Sequence, residues 1–227
     1  MDSSTQPKIL REIIKLRGEN SKTFELDNGK NRLIATKEPM HYKDRYGNLA
    51  EIDTNIDGDK VITAPYLAKL TKDKIGFTIK RKDNGEVVTV MLERIGDKEI
   101  SYQLPLIEGE TALYEDVDKD IDIVLKFNNG GCRMFRILKT PEAERKAIFH
   151  IKQEKDKFGI SPQFYGHDAK GRSINLKTKI ILETDHEIFV EDVFTGQTVS
   201  MDEETRVRSL SNEIDYPVII DPEVRIW

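Results

Sequence analysis

The sequence predicts an all-β protein, an antiparallel β-sandwich-like fold with a short N-terminal helix. Three observations carry this expectation. Short apolar runs are separated by turn segments such as Asp27-Asn28-Gly29-Lys30, Lys82-Asp83-Asn84-Gly85 and Asn128-Asn129-Gly130-Gly131, which supply the positive φ angles that tight hairpins require. Alternation of period two is clean in Ile121, Ile123, Leu125 and Phe127, as in a strand with one buried and one wet face. After the first segment no helical pattern alternates with the strands, so the sheets should be antiparallel.

The elements follow in chain order. Pro7 suits an early helical position, Ile9, Leu10, Ile13, Ile14 and Leu16 read as an apolar stripe, and Gly18 supplies a stop. A helix of about 12 residues is marginal alone in water, so this stripe should dock on its own domain or on a partner. These five residues are the candidate assembly anchor. Lys22 to Leu26 and Asn31 to Thr36 predict a hairpin, as do Tyr42 with Leu49 to Ile52, Phe77 to Arg81 with Val87 to Leu92, and Ile121 to Phe127 with Cys132 to Leu138. Further strands are expected at Ile100 to Leu104, Ala147 to Ile151, Lys179 to Leu182, Ile188 to Val190 and Val218 to Ile220. Pro141 to Lys146 is a polar connector. The organisation is therefore an arm or amphipathic helix over 1–18, a β region over 19–140 and a second over 141–227, the last two open to being one continuous domain. No repeat of fixed period points to a propeller or solenoid.

Composition narrows the function. The 227 residues carry 36 Lys+Arg against 41 Asp+Glu, a formal charge of −5, and phosphate neutralisation needs a concentrated basic face, so no nucleic-acid partner is expected. The N-terminus lacks a basic n-region and no run approaches the roughly 18–20 apolar residues of a membrane span, so the chain is expected to be soluble, made without a signal peptide and not bound to a membrane.

The chemistry-bearing residues are dispersed. The lone Cys132 reads as a small apolar strand residue, and with His41, His150, His167 and His186 far apart no zinc pattern forms. His150 falls at an alternate position of a strand and reads as a sheet-face residue rather than a base. Asp53-Thr54-Asn55-Ile56-Asp57-Gly58 matches half a calcium loop, but Ala64 stands where the bidentate Glu belongs. Asp116, Asp118, Asp120 and Asp122 form a second acidic series, expected in a loop leading into a strand. No metal, cofactor, nucleophile elbow or phosphate loop is expected. A carboxylate pair for glycoside hydrolysis is always available among so many acids. Seven tyrosines and Trp227 are spread too widely to define a sugar platform.

Arg17 to Phe24, Asp27 to Lys30 and Pro39 to Asp53, followed by Tyr114 to Val117, Asp122, Phe158 to Pro162 and Tyr216-Pro217-Val218-Ile219-Ile220-Asp221-Pro222, run in a known order. The pattern resembles the β-rich module that precedes DNRLRE and RHS-type regions of bacterial wall-associated surface proteins and that also occurs in phage structural proteins. The resemblance spans residues 11 to 222 and implies a structural β module without an active site. A free-standing, leaderless copy fits a bacteriophage virion component, made in the host cytoplasm and attached to capsid or tail subunits or to further copies of itself. A carbohydrate- or receptor-binding cell-surface module is the second reading, and a glycan-cleaving enzyme the third.

Overall fold

The computed structural model describes residues 6–154, 163–201 and 206–223. Strands β1 (Ile9–Glu12), β2 (Ser21–Leu26) and β3 (Asn31–Ala35) form a three-stranded antiparallel sheet, and β4 (His41–Lys43) pairs with β5 (Leu49–Glu51). Next come β6 (Lys60–Val61), β7 (Tyr66–Leu70), β8 (Ile75–Arg81), β9 (Val87–Ile95), β10 (Lys98–Glu99) and β11 (Leu106–Glu108). They are followed by β12 (Thr111–Asp118), β13 (Ile121–Asn128), β14 (Gly131–Leu138), β15 (Lys146–Gln153) and β16 (Gln163–His167). The last are β17 (Ile174–Glu183), β18 (Glu187–Met201), β19 (Arg208–Ser211) and β20 (Val218–Glu223). A nine-stranded sheet runs β17-β18-β15-β9-β8-β7-β6, with β10 against β9 and β19 against β18; a six-stranded sheet runs β11-β12-β13-β14-β20-β16. All pairings are antiparallel, as the turn chemistry required.

The two large sheets share one core. Ile121, Ile123, Leu125 and Phe127 of β13 are all buried, as their alternation predicts, and face Phe77, Ile79, Val88, Val90 and Leu92 of the nine-stranded sheet. Phe77 and Phe127 meet edge to face across the layers, 6.3 Å between centroids, the geometry that aromatic quadrupoles prefer. Both sheets draw strands from either side of Pro141: β15 pairs with β9, and β20 with β14.

Three sequence expectations are corrected. Residues 9–16 are not an α-helix; Ile9–Glu12 is a strand and Ile14–Leu16 a single 3-10 turn. The β-branched Ile9 and Ile13 favour extended backbone, and β1 gains the ladder of β2, Ile9 opposite Leu26 and Glu12 opposite Phe24, which a short isolated helix cannot match. Ile100 to Leu104 is irregular between β10 and β11; Pro105, with no N–H, cannot extend a ladder there. Asp116 and Asp118 belong to β12 rather than to a loop. Phe158 to Pro162 and Trp227 lie outside the described residues.

A buried charge pair crosses the core. In β14, Cys132, Met134, Arg136 and Leu138 point inward, and in β18, Ile188, Val190, Asp192 and Phe194 do. Arg136 Nη2 therefore meets Asp192 Oδ2 at 2.7 Å, with both side chains 0% exposed. Burial pushes the Asp192 carboxyl up to about 6, against the pull of the guanidinium, and the same burial lowers Arg136. Desolvation is the larger effect on both partners.

Replacing Arg136 by Met should cost about 3–5 kcal/mol in urea unfolding, because it strands a buried carboxylate, whereas Arg136→Met with Asp192→Leu should recover most of the loss. Gly85 closes the β8–β9 turn at φ 73°. Gly85→Val should lower the same unfolding free energy by about 1 kcal/mol or more through backbone strain; a value near zero would contradict the turn assignment.

Candidate functional site

The predicted anchor residues do not line up on one helical face. Ile9 and Leu10 lie on β1 and Ile14 and Leu16 on the 3-10 turn, all four exposed, while Ile13 is half-buried. The segment is held instead by its polar residues. Arg17 donates to both oxygens of Glu12 (2.7 and 2.9 Å) and to the Leu49 carbonyl at 3.3 Å. Buried His41 of β4 bonds the Gly18 carbonyl through Nδ1 at 2.8 Å, and Lys22 pairs with Glu51. The Arg17 hydrogen bond holds Glu12 below the usual carboxylate range. The N-terminal sheet is thus tied to the β4–β5 hairpin by charge, and Ile9, Leu10, Leu33 and Ile34 stay exposed.

A concavity of about 1110 Å³ lies beside this junction. One wall is the β4–β5 turn, with Tyr42, Arg45 and Tyr46; the other is the end of β8 and its turn, with Lys80, Arg81, Lys82 and Asp83. Tyr66, Ile79 and the β13–β14 turn at Asn129 and Gly130 complete the lining. The buried Tyr66 hydroxyl shares its proton between the Asn128 and Gly131 carbonyls, and Asn129 donates to the Pro39 carbonyl, so turns from three parts of the chain are cross-tied.

Aromatic faces and cations alternate around this groove. The Arg45 guanidinium lies 4.7 Å from the centroid of Tyr46, a ring 72% exposed. The Lys82 ammonium lies 4.7 Å from the Tyr42 centroid and donates to the Ile62 carbonyl (2.7 Å) and the Tyr42 hydroxyl (3.2 Å). Such cation–π contacts hold flexible cations in place. Arg81 is paired with Asp83 and Lys43 with Glu19. Among the described residues Arg45, Lys80 and Lys82 pair with no carboxylate. A locally positive, aromatic groove thus stands on a net acidic chain.

One wall of the groove is built by a turn that occurs twice. Asp44 Oδ1 accepts from the Tyr46 and Asn48 N–H groups (2.8 and 2.9 Å) while Gly47 N–H donates to the Asp44 carbonyl. Asp168 Oδ1 accepts from Lys170 and Arg172 N–H (3.0 and 2.9 Å), and Gly171 N–H donates to the Asp168 carbonyl. The shared Asp-x-x-Gly spacing was a legible signal for the second hairpin, which sequence reasoning missed. Asp168 goes further: Arg172 Nε and the Asp215 N–H donate to its other oxygen (2.8 and 3.2 Å). Burial raises this carboxyl, but the Arg172 and backbone donors outweigh it and bring it down to about 2.

Among the remaining candidates His167 and His186 are exposed, whereas Asp53, the acidic series, His150 and Cys132 are engaged by neighbours or buried. Asp53 Oδ1 accepts the Asn55 N–H at the half-loop. In the acidic series Lys139 bridges Asp116 (2.6 Å) and Asp122 (2.8 Å), and Lys98 pairs with Asp118. His150 stacks on Phe189 at 4.0 Å between centroids and bonds Glu93 through Nδ1 at 3.2 Å, a sheet-face position as expected. Cys132 is buried, and burial pushes its thiol well up. Comparison with protein families, curated proteins and solved structures finds no match to this chain.

Asp168 yields a pH prediction. Its folded carboxyl lies below the ordinary value of 3.8, so its stabilisation is complete above that value and disappears as pH falls toward 2. At pH 7 Asp168→Asn should cost about 2 kcal/mol, and the gap to the parent in thermal melts should close between about pH 4 and pH 2.

Proposed function

We propose that this chain is a non-enzymatic structural module of a bacteriophage virion that attaches to capsid or tail subunits. The observation carrying this reading is where its exposed apolar side chains lie. They concentrate on terminal strands: Ile180, Ile181 and Leu182 on β17, Leu106 and Ile107 on β11, and Leu33 and Ile34 beside Ile9, Leu10, Ile14 and Leu16 in the N-terminal sheet. On β17 every residue from Lys177 to Glu183 is exposed, so both faces of that edge stand open.

Edge strands that carry apolar residues invite pairing with another chain, and soluble monomers ordinarily blunt them. Three such edges around one rigid core suit a part built to be clamped between neighbours, where strand addition supplies backbone hydrogen bonds and apolar burial together. The resemblance at both ends of the chain supports the same reading. So does the use of its acids and histidines as internal braces, with Asp168 in a turn, Asp192 across the core and His150 on a sheet face.

The test compares incorporation with folding. Ile180→Lys combined with Leu182→Lys, and separately Leu10→Lys combined with Ile14→Lys, should change the melting temperature little, because the sites are exposed. Each pair should lower the amount of protein in purified particles at least several-fold. Incorporation of both variants at the parental level, or location of the chain off the particle by electron microscopy, would refute the reading.

A further inference from the structure

We propose that the groove between the β4–β5 turn and the end of β8 binds an anionic oligosaccharide, a chain of sugar rings bearing carboxylate or sulfate groups. Tyr46 offers an open ring face, with Arg45 on the ring, and Tyr42 stands nearby under Lys82. The C–H face of a pyranose packs on such rings, while its hydroxyls need donors and acceptors at the edge; tyrosine supplies both from one side chain.

The charges select the kind of sugar. Arg45, Lys80 and Lys82 form no salt bridge among the described residues, Arg45 being drawn to Asp44 only at longer range, and three such cations around one concavity are a recognition surface for acidic groups. Lys82 is positioned beforehand by the Ile62 carbonyl and Tyr42, so little side-chain entropy remains to be lost on binding. The volume of about 1110 Å³ lies just above the usual 300–1,000 Å³ of small-molecule pockets and suits a short oligomer.

A nucleic acid fits this lining less well. Asp44 and Asp83 stand among the cations, and the chain as a whole carries a charge of −5, a field that repels a polyphosphate beyond the groove. The same field acts on an acidic sugar, but its hydroxyl-rich rings also pack on Tyr46 and Tyr42, so charge need not supply all of the binding.

The experiment is titration calorimetry of the full chain at low and at physiological salt. The probes are a hexagalacturonate, a heparin-derived hexasaccharide, cellohexaose and an oligothymidylate. Saturable binding of one or both acidic sugars, at least about tenfold tighter than cellohexaose and weakened by salt, is expected; which acidic sugar binds better distinguishes carboxylate from sulfate recognition. Arg45→Gln with Lys82→Gln should weaken that binding by about tenfold or more, Tyr46→Ala by several-fold, and Lys82→Arg little, all with unchanged melting curves. Failure of every sugar to bind, equal binding of cellohexaose, tighter binding of oligothymidylate, or insensitivity to the groove variants would each overturn the proposal. Because these sites lie off the apolar edges, particle incorporation of the same variants separates failure here from failure of the attachment reading.

Discussion

The contact between Arg136 and Asp192 sets the terms for the rest of the molecule. Apolar faces attract one another without direction, so apolar burial by itself does not confine two twisted sheets of Ile, Val, Leu and Phe to one facing. A charge pair in the same layer does. Each partner has been stripped of water, and each is tolerable only opposite the other, so offsets of β14 against β18 are penalised by an uncompensated charge. The pair contributes little net stability, since burial opposes ionisation on both sides. A pair so placed disfavours other facings of the two sheets, in the same core in which Phe77 meets Phe127.

That facing positions the groove. Tyr66, on the nine-stranded sheet, reaches the β13–β14 turn of the other sheet, and Asn129 of the same turn reaches Pro39 ahead of β4. The hairpin carrying Tyr42, Arg45 and Tyr46 is therefore registered to the core through backbone carbonyls as well as through Ile52, which packs against it. The N-terminal sheet is attached by the same means, through Arg17, Glu12 and His41. Polar tethers leave the apolar residues of the periphery free, which gives the molecule a closed core and open edges at once.

Most of the core was legible from local pattern. Period two in β13 and the Asn-Gly turns depend only on residues adjacent in the chain, and they survive in the structure at Ile121, Ile123, Leu125, Phe127, Gly29 and Gly85. Arg136 falls in a strand the sequence predicts and Asp192 just beyond another, yet neither stood out as a core charge, because their opposition spans 56 residues of sequence. The N-terminal segment misled for the opposite reason: spacing alone fits both a helical stripe and an extended strand, and the ladder of β2 decided between them.

The sequence by itself determined that this protein is antiparallel all-β, because turn chemistry and alternation act within a few residues and need no distant partner. Only the tertiary structure decided which charges would be buried together, which strands would be left as edges, and that Tyr42, Arg45, Tyr46, Lys80 and Lys82 would share one groove. Those outcomes depend on contacts between segments far apart in the chain, whose energies no local pattern encodes.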